Sequence, residues 1–335
     1  MKYINEWSNK EIKTHVDSYV TGYEDLALNE VDIAGEGNMN FALRLKFSGD
    51  QSLIMKQSPP FCAKFPDIPA PQMRIESEQL YYKVANTNPK VFKRSPEILG
   101  FDSDARILYM SDLGEGSDYE ACYEDQKLTN SELKTLCDYL SELHSIDCTN
   151  IHFENAPMRE LNHQYIFDLP FKGAQGVIDL DEITPGLNDM SKKLSTMTQL
   201  KAKVSSLGEI YLKDAKCLIH GDYYPRSWLK TDKGIFIIDP EFGFEGRAEF
   251  DVAVFMAHMG MCSQYHNTFE YLKTNYLAQD GFDWDLALDF CAVEMLRRVF
   301  FVSQLPLKND IKFKEKLFEA STNRLTKESH FEEII

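Results

Sequence analysis

Two short runs of this 335-residue chain place acids where apolar β segments end. Leu218-Ile219 runs into His220-Gly221-Asp222, and Ile237-Ile238 runs into Asp239-Pro240-Glu241-Phe242. Carboxylates at two strand ends, joined across a hairpin, can converge on one metal–phosphate centre. In that arrangement Asp222 accepts or orients an attacking hydroxyl. Asp239 with Glu241 ligates Mg²⁺, a hard cation that prefers oxygen. Either cluster alone reads equally well as turn-forming acids on solvated strand ends. The two in this order match the pair of roles that phosphoryl transfer requires.

Three further features fit the same chemistry. Gly35-Glu36-Gly37-Asn38-Met39-Asn40 precedes an alternating strand, and glycine there lets backbone N–H groups approach phosphate oxygens. An ordinary hairpin turn is the other reading, and a dinucleotide fingerprint is excluded because a strand follows instead of a helix. Lys56 sits inside the apolar run SLIMKQ, either snorkelling at a sheet edge or held by an acid. The helical run MRIESEQLYY supplies that acid; Glu76 is the expected partner, with Glu78 pointing elsewhere. Arg297-Arg298 lies in AVEMLRRVFF, whose apolar flanks argue that at least one arginine is buried and paired. A solvated basic patch is the alternative.

The elements that must position these groups follow from the apolar pattern. Residues 41–47 and 52–57 read as strands, 72–84 as a helix, and 97–101 and 106–110 as two more strands. Thr129 and Glu132 form a capping box ahead of Leu133, Leu136, Cys137, Leu140 and Leu143 at helical spacing. Long helical patterns occupy about 188–213, 249–277 and 284–304, around a β island at 217–220, 228–231 and 234–239. The class is α+β: a small β-rich N-terminal lobe at 1–111, then a larger, mostly helical C-terminal lobe at 112–335.

Composition narrows the partners. A net charge of -17 argues against nucleic acid, which needs a basic footprint. Nothing approaches the run of about 20 apolar residues that spans a membrane, and the polar N-terminus lacks a secretory pattern. The seven cysteines are scattered without C-x-x-C spacing, so reduced thiols in a cytoplasmic protein are expected.

Taken together, the glycine-rich hairpin, strand lysine, helix acid, HGD and D-P-E resemble the aminoglycoside phosphotransferase and choline kinase superfamily, and within it the 5-methylthioribose kinase family. GEGNMNFALR, KQ at 56–57, RIESEQL at 74–80 and LYMSDL at 108–113 are similar to that family's loop, lysine, helix acid and hinge. IDPEFGFEGRAEFD at 238–251 and MLRRVF at 295–300 are the specific matches.

The resemblance implies a protein-kinase-like two-lobed fold, ATP and Mg²⁺ as cofactors, and transfer of the γ-phosphoryl to a small-molecule hydroxyl such as that of methylthioribose. Asp222 is then the base. Gly35, Gly37, Asn38, Asn40, Lys56 and Glu76 attend the phosphates, and Met110, Ser111 and Asp112 attend the adenine. Asp239, Glu241 and Ser227 hold metal, and Arg297 and Arg298 read the sugar. The loop departs from the family's HGDLH: Tyr224 takes the His place, and Arg226 the Gly place, where a bulky, charged residue would either reshape the acceptor pocket or serve an anionic acceptor. Aminoglycoside, choline or homoserine phosphotransfer and a silent nucleotide-binding pseudokinase are the alternatives. The resemblance also makes a homodimer the assembly to look for.

Overall fold

Alternation along Phe41–Phe47 buries Leu43, Leu45 and Phe47 on one face and leaves Arg44 and Lys46 on the other. That strand is second in a five-stranded antiparallel sheet, ordered Leu28–Ile33, Phe41–Phe47, Ser52–Gln57, Ile107–Ser111, Ile98–Asp102. A computed structural model describes the chain except for Met1, Glu36, Asn38, Thr149, Asn150, His152, Glu154, Asp214, Ser303, Lys308, Asn309 and 328–335.

The described chain divides into two units, Met1–Gly116 with Lys230–Gly243, and Ser117–Leu229 with Phe244–Ile335. The expected boundary at 111/112 did not foresee that 230–243 groups with the first unit. The reason is specific bonding: Ile237 donates its N–H to the Arg94 carbonyl at 2.7 Å, and Lys56 reaches Asp239.

In the first unit the sheet's apolar face packs on a helix that the sequence pattern did not suggest, Asn9–Tyr19. Ser8 and Glu11 form its capping box, which stabilises it by about 1 kcal/mol. Ile12 and Val16, one turn apart, join Leu45, Leu53, Met55 and Ile107 in the core. Each such fully buried aliphatic contributes roughly 1.5–3 kcal/mol. The expected helix at 72–84 is Arg74–Ala85, and its buried residues include two charges, Arg74 and Glu78.

The second unit is mainly helical. The Thr129–Glu132 capping box starts Asn130–His144 as expected. The pattern at 188–213 resolves into Leu187–Thr196 and Thr198–Tyr211, and that at 249–277 into Ala248–Met261 and Tyr265–Asn275, with Ser263 left-handed at φ 56° between them. Ala156–His163 and Ile311–Lys327 are helices the pattern did not suggest. Ala248–Met261 is buried along its whole length, and Trp284–Phe300 from Ala287 onward. Apolar helices buried all round can carry charge only where it is paired. All seven cysteines are free thiols, six of them buried. No helix among the described residues is long and apolar enough to cross a membrane.

Candidate active site

The strand Ser52–Gln57 turns Leu53 and Met55 into the core and Lys56 to the opposite face. Lys56 is in register with Ala42 on one side and Leu108 on the other, so it lies on an interior strand and not at a sheet edge. Its buried ammonium donates to Glu78, 2.8 Å from Oε1 and 2.7 Å from Oε2, and pairs with Asp239. The partner is therefore Glu78, which corrects the expected Glu76. Two residues along a helix differ by roughly 200°. Glu78 shares the inward side with Ile75, Tyr81 and Tyr82, whereas Glu76 faces away and pairs with Arg106.

Burial works against the Lys56 charge, but Asp239, Glu78 and Glu241 outweigh it and hold the ammonium protonated. Asp239 sits at φ 66°, a left-handed conformation that costs a non-glycine residue on the order of 1 kcal/mol or more. Its N–H donates to the Tyr82 hydroxyl at 3.3 Å. Glu241 is buried, accepting from the Asn40 amide at 2.8 Å with the Arg74 Nε 3.6 Å away. Arg74 in turn donates to the Asn40 side-chain oxygen at 2.9 Å and to the Met39 carbonyl at 2.7 Å. Both polar ends of Asn40 are thus used in bracing Glu241, although the sequence suggested a nucleotide contact. Gly35 adopts φ 77°, which glycine alone adopts without strain; Asn38 lies outside the described residues.

Burial, and after it the Asp239 charge, pushes the Glu241 carboxyl up to about 8. Among the described residues no group of three or more His, Cys, Asp and Glu forms a ready metal cage. Asp239 and Glu241 nevertheless suit a hard divalent cation: their oxygens repel each other, and a cation relieves that repulsion.

At the expected hinge, the Ser111 N–H and hydroxyl are both bonded to the Glu97 backbone, at 2.8 and 2.9 Å. The Asp112 carboxylate is held by Arg44 at 2.9 Å, and Met110 is paired between Ile54 and Ile98.

In the second unit, Cys217–Ile219 pairs antiparallel with Phe244–Gly246 and delivers the chain into His220-Gly221-Asp222. Gly221 makes the turn at φ 79°. Asp251, fully buried in Ala248–Met261, accepts from the N–H of His220 at 2.6 Å and of Gly221 at 2.9 Å. The Ser227 hydroxyl donates to the Asp222 carbonyl at 2.8 Å, so its observed contact fastens the loop.

The Asp222 carboxylate is partly open, with its side chain 21 % exposed. Its Oδ1 accepts from Arg298 at 2.9 Å and lies 3.9 Å from Arg297. Burial pushes the carboxyl above its ordinary value, and Arg298 and Arg297 pull it back. The Tyr224 ring lies 4.7 Å from the Arg298 guanidinium, a cation–π contact. Arg226 does not join this group: its guanidinium is engaged by Glu120 at 3.4 Å and Asp118 at 3.9 Å. Both are acids, and they draw it toward the Ser117–Tyr123 segment.

Four residues of these clusters were not singled out from the sequence: Arg74, Glu78 as a partner, Asp251 and Glu294. The last two left a signal, a single acid inside FDVAVF and inside CAVEMLRR, where burial demands a partner.

Among curated proteins, the methylthioribose kinase of Exiguobacterium sibiricum is 26 % identical over 251 residues, covering 71 % of this chain and 62 % of that protein. Methylthioribose kinase 2 of Oryza sativa subsp. japonica is 24 % identical over 254 residues, 70 % of this chain and 56 % of its own. The chain thus spans less than two thirds of the curated relatives it matches. The fold is shared with choline kinase LicA from Streptococcus pneumoniae at TM-score 0.53, 12 % identity and coverage of 95 % of this chain and 98 % of that one. It is shared also with an ethanolamine kinase from Plasmodium vivax at TM-score 0.54, 12 % identity and coverage of 98 % and 97 %. These neighbours bear out the kinase-like α+β fold. The model of the phosphotransferase enzyme family, APH, matches residues 42–286, a span that takes in Lys56, Glu78, Asp222, Asp239 and Glu241, and the chain belongs to that family.

Proposed function

We propose that this chain is an ATP-dependent small-molecule kinase that transfers the γ-phosphoryl group to an acceptor hydroxyl, with 5-methylthioribose or a similar sugar as the favoured acceptor. The observation that carries the reading is the buried Lys56, gripped by Glu78 and Asp239. A permanently charged lysine held in that way serves to bind phosphate oxygens.

Asp239 and Glu241 would hold a divalent cation, which when bound would offset charge on the phosphates. Lys56 orients the phosphates, and Glu78 fixes Lys56. At Asp222, Oδ1 is taken by the arginines, and Oδ2 accepts the proton of the acceptor hydroxyl. The acceptor oxygen bonds to the γ-phosphorus as the bond from that phosphorus to the β–γ bridging oxygen breaks, and ADP leaves with the bridging electron pair.

Two observations favour a neutral, oxygen-rich acceptor over a cationic one. Arg297 and Arg298 stand beside the base, and a like-charged ammonium there meets repulsion. The named curated relatives are methylthioribose kinases. A silent pseudokinase has no use for this full set of paired groups. The test is ADP release with methylthioribose, other pentoses, homoserine, choline and aminoglycosides in turn. Methylthioribose or another pentose should be preferred. A preference for choline or an aminoglycoside overturns the acceptor class, and no acceptor-dependent ADP overturns the kinase.

A further inference from the structure

The arginine pair that flanks Asp222 is organised by one group behind it. Glu294 is 1 % exposed on the helix Trp284–Phe300. Its Oε2 accepts from the Arg297 Nε at 2.5 Å and its Oε1 from the Arg298 Nε at 2.8 Å. Arg297 and Arg298 are adjacent and diverge by about 100° around the helix. They are nevertheless three and four positions beyond Glu294, and both of those positions neighbour it on the helix surface. One carboxylate can therefore hold both.

With each Nε committed, both guanidinium planes are set, and terminal NH₂ groups of both reach the same Asp222 oxygen, at 3.9 and 2.9 Å. Glu294 is itself fixed from the far side. His258 Nε2 lies 3.1 Å from Oε1, and the Tyr123 hydroxyl lies 2.5 Å from His258 Nδ1. Burial pushes His258 down to about 4, so its ring is neutral. The neutral ring gives Nε2–H to Glu294 and accepts the Tyr123 proton at Nδ1.

We propose that Glu294 is the positioning residue of the acceptor half of the reaction, aiming both arginines at Asp222 and the oxygen functions beside the reacting hydroxyl. This rests on the phosphoryl-transfer reading. It adds that Glu294 never touches the acceptor and acts only through Arg297 and Arg298. Rigid guanidiniums with pre-set planes recognise vicinal oxygens better than mobile ones do.

Glu294→Gln tests it, because an amide offers one acceptor oxygen and turns an NH₂ on the second guanidinium. The KM for the acceptor should rise about tenfold or more while that for ATP stays within about twofold. Independently of turnover, proton–nitrogen spectra of the wild type should hold two slowly exchanging arginine Nε–H signals, identified by their loss in Arg297→Lys and Arg298→Lys. Both should exchange about tenfold faster or more in Glu294→Gln. Unchanged exchange, or equal rises in the two KM values, overturns the proposal. A wild type that transfers nothing sinks the kinase reading alone, and the Nε–H exchange then decides the role of Glu294. If Glu294→Gln does not fold, Glu294→Asp keeps the charge but withdraws the oxygens by one methylene. It should show the same KM split, and an acceptor KM within about twofold of wild type overturns the proposal.

Discussion

The two charged clusters solve different electrostatic problems. Around Lys56 there are three carboxylates, Glu78, Asp239 and Glu241, against two cations, Lys56 and Arg74. Around Asp222 two carboxylates, Asp222 and Glu294, meet two arginines. Counted as carboxylates the first cluster has one negative charge too many, which the proton held by Glu241 offsets up to about pH 8, and a divalent cation can take that proton's place. The second is balanced within itself, so it can be buried in an apolar helix pair and still present one partly open carboxylate. In the proposed mechanism the acid-rich cluster serves metal and phosphate, and the balanced cluster serves the acceptor and the base.

The comparison breaks most sharply at Asp222. Asp222→Asn should lower kcat by about 10³-fold, within the span of general-base contributions, and leave the KM for ATP within about twofold. Steady-state kinetics with saturating acceptor checks this, and an equal loss in both parameters would merge the two halves.

Next in size is Lys56→Met, expected to lower kcat/KM for ATP by about 10²-fold. It should also cost about 3–5 kcal/mol of stability, because Glu78 is left buried without its cation. Thermal melts and ATP kinetics read the two effects. Glu78→Gln should weaken ATP use by about tenfold, whereas Glu76→Gln, which touches only the Arg106 pair at the surface, should stay within about twofold. The reverse order would restore Glu76 as the partner.

The smallest effects are pH slopes of opposite sign. Glu241 has its folded value raised from 4.5 to about 8, so its contribution to stability is full below 4.5 and is lost as pH rises through 8. His258 has its value lowered from 6.5 to about 4, so its contribution is present above 6.5 and is lost as pH falls through 4. Without metal, the wild type should lose ground to Glu241→Gln on the alkaline side and to His258→Gln on the acid side. Each is read as a fall in Tm relative to its variant, at about 2–4 °C per kcal/mol. Added Mg²⁺ should shrink the alkaline loss only.

Much of this was legible in the residues because it depends on local pattern. Period-two alternation marked 41–47, a short apolar run marked 52–57, and the capping box marked the start of Asn130–His144. Lys56, Asp222, Asp239 and Glu241 stood out as charges at the ends or in the middle of apolar β runs. What stayed hidden was rotation and distant pairing. Glu76 and Glu78 both lie within reach of a strand lysine until the helix phase is known, and Ile75, Tyr81 and Tyr82 set that phase only by packing. Arg226 looked free to serve an acceptor because Asp118 and Glu120 are far away in the chain. Asp251 and Glu294 were visible as acids in apolar helices, but their partners were not.

The most direct test of the division of labour is ATP binding measured beside ATP turnover in the same Asp222→Asn protein. With Mg²⁺ present, calorimetry should give the wild-type affinity for ATP, and acceptor-dependent ADP release should fall about 10³-fold. Turnover within about tenfold of wild type would remove Asp222 as the base, and loss of ATP affinity would assign it to the nucleotide half instead.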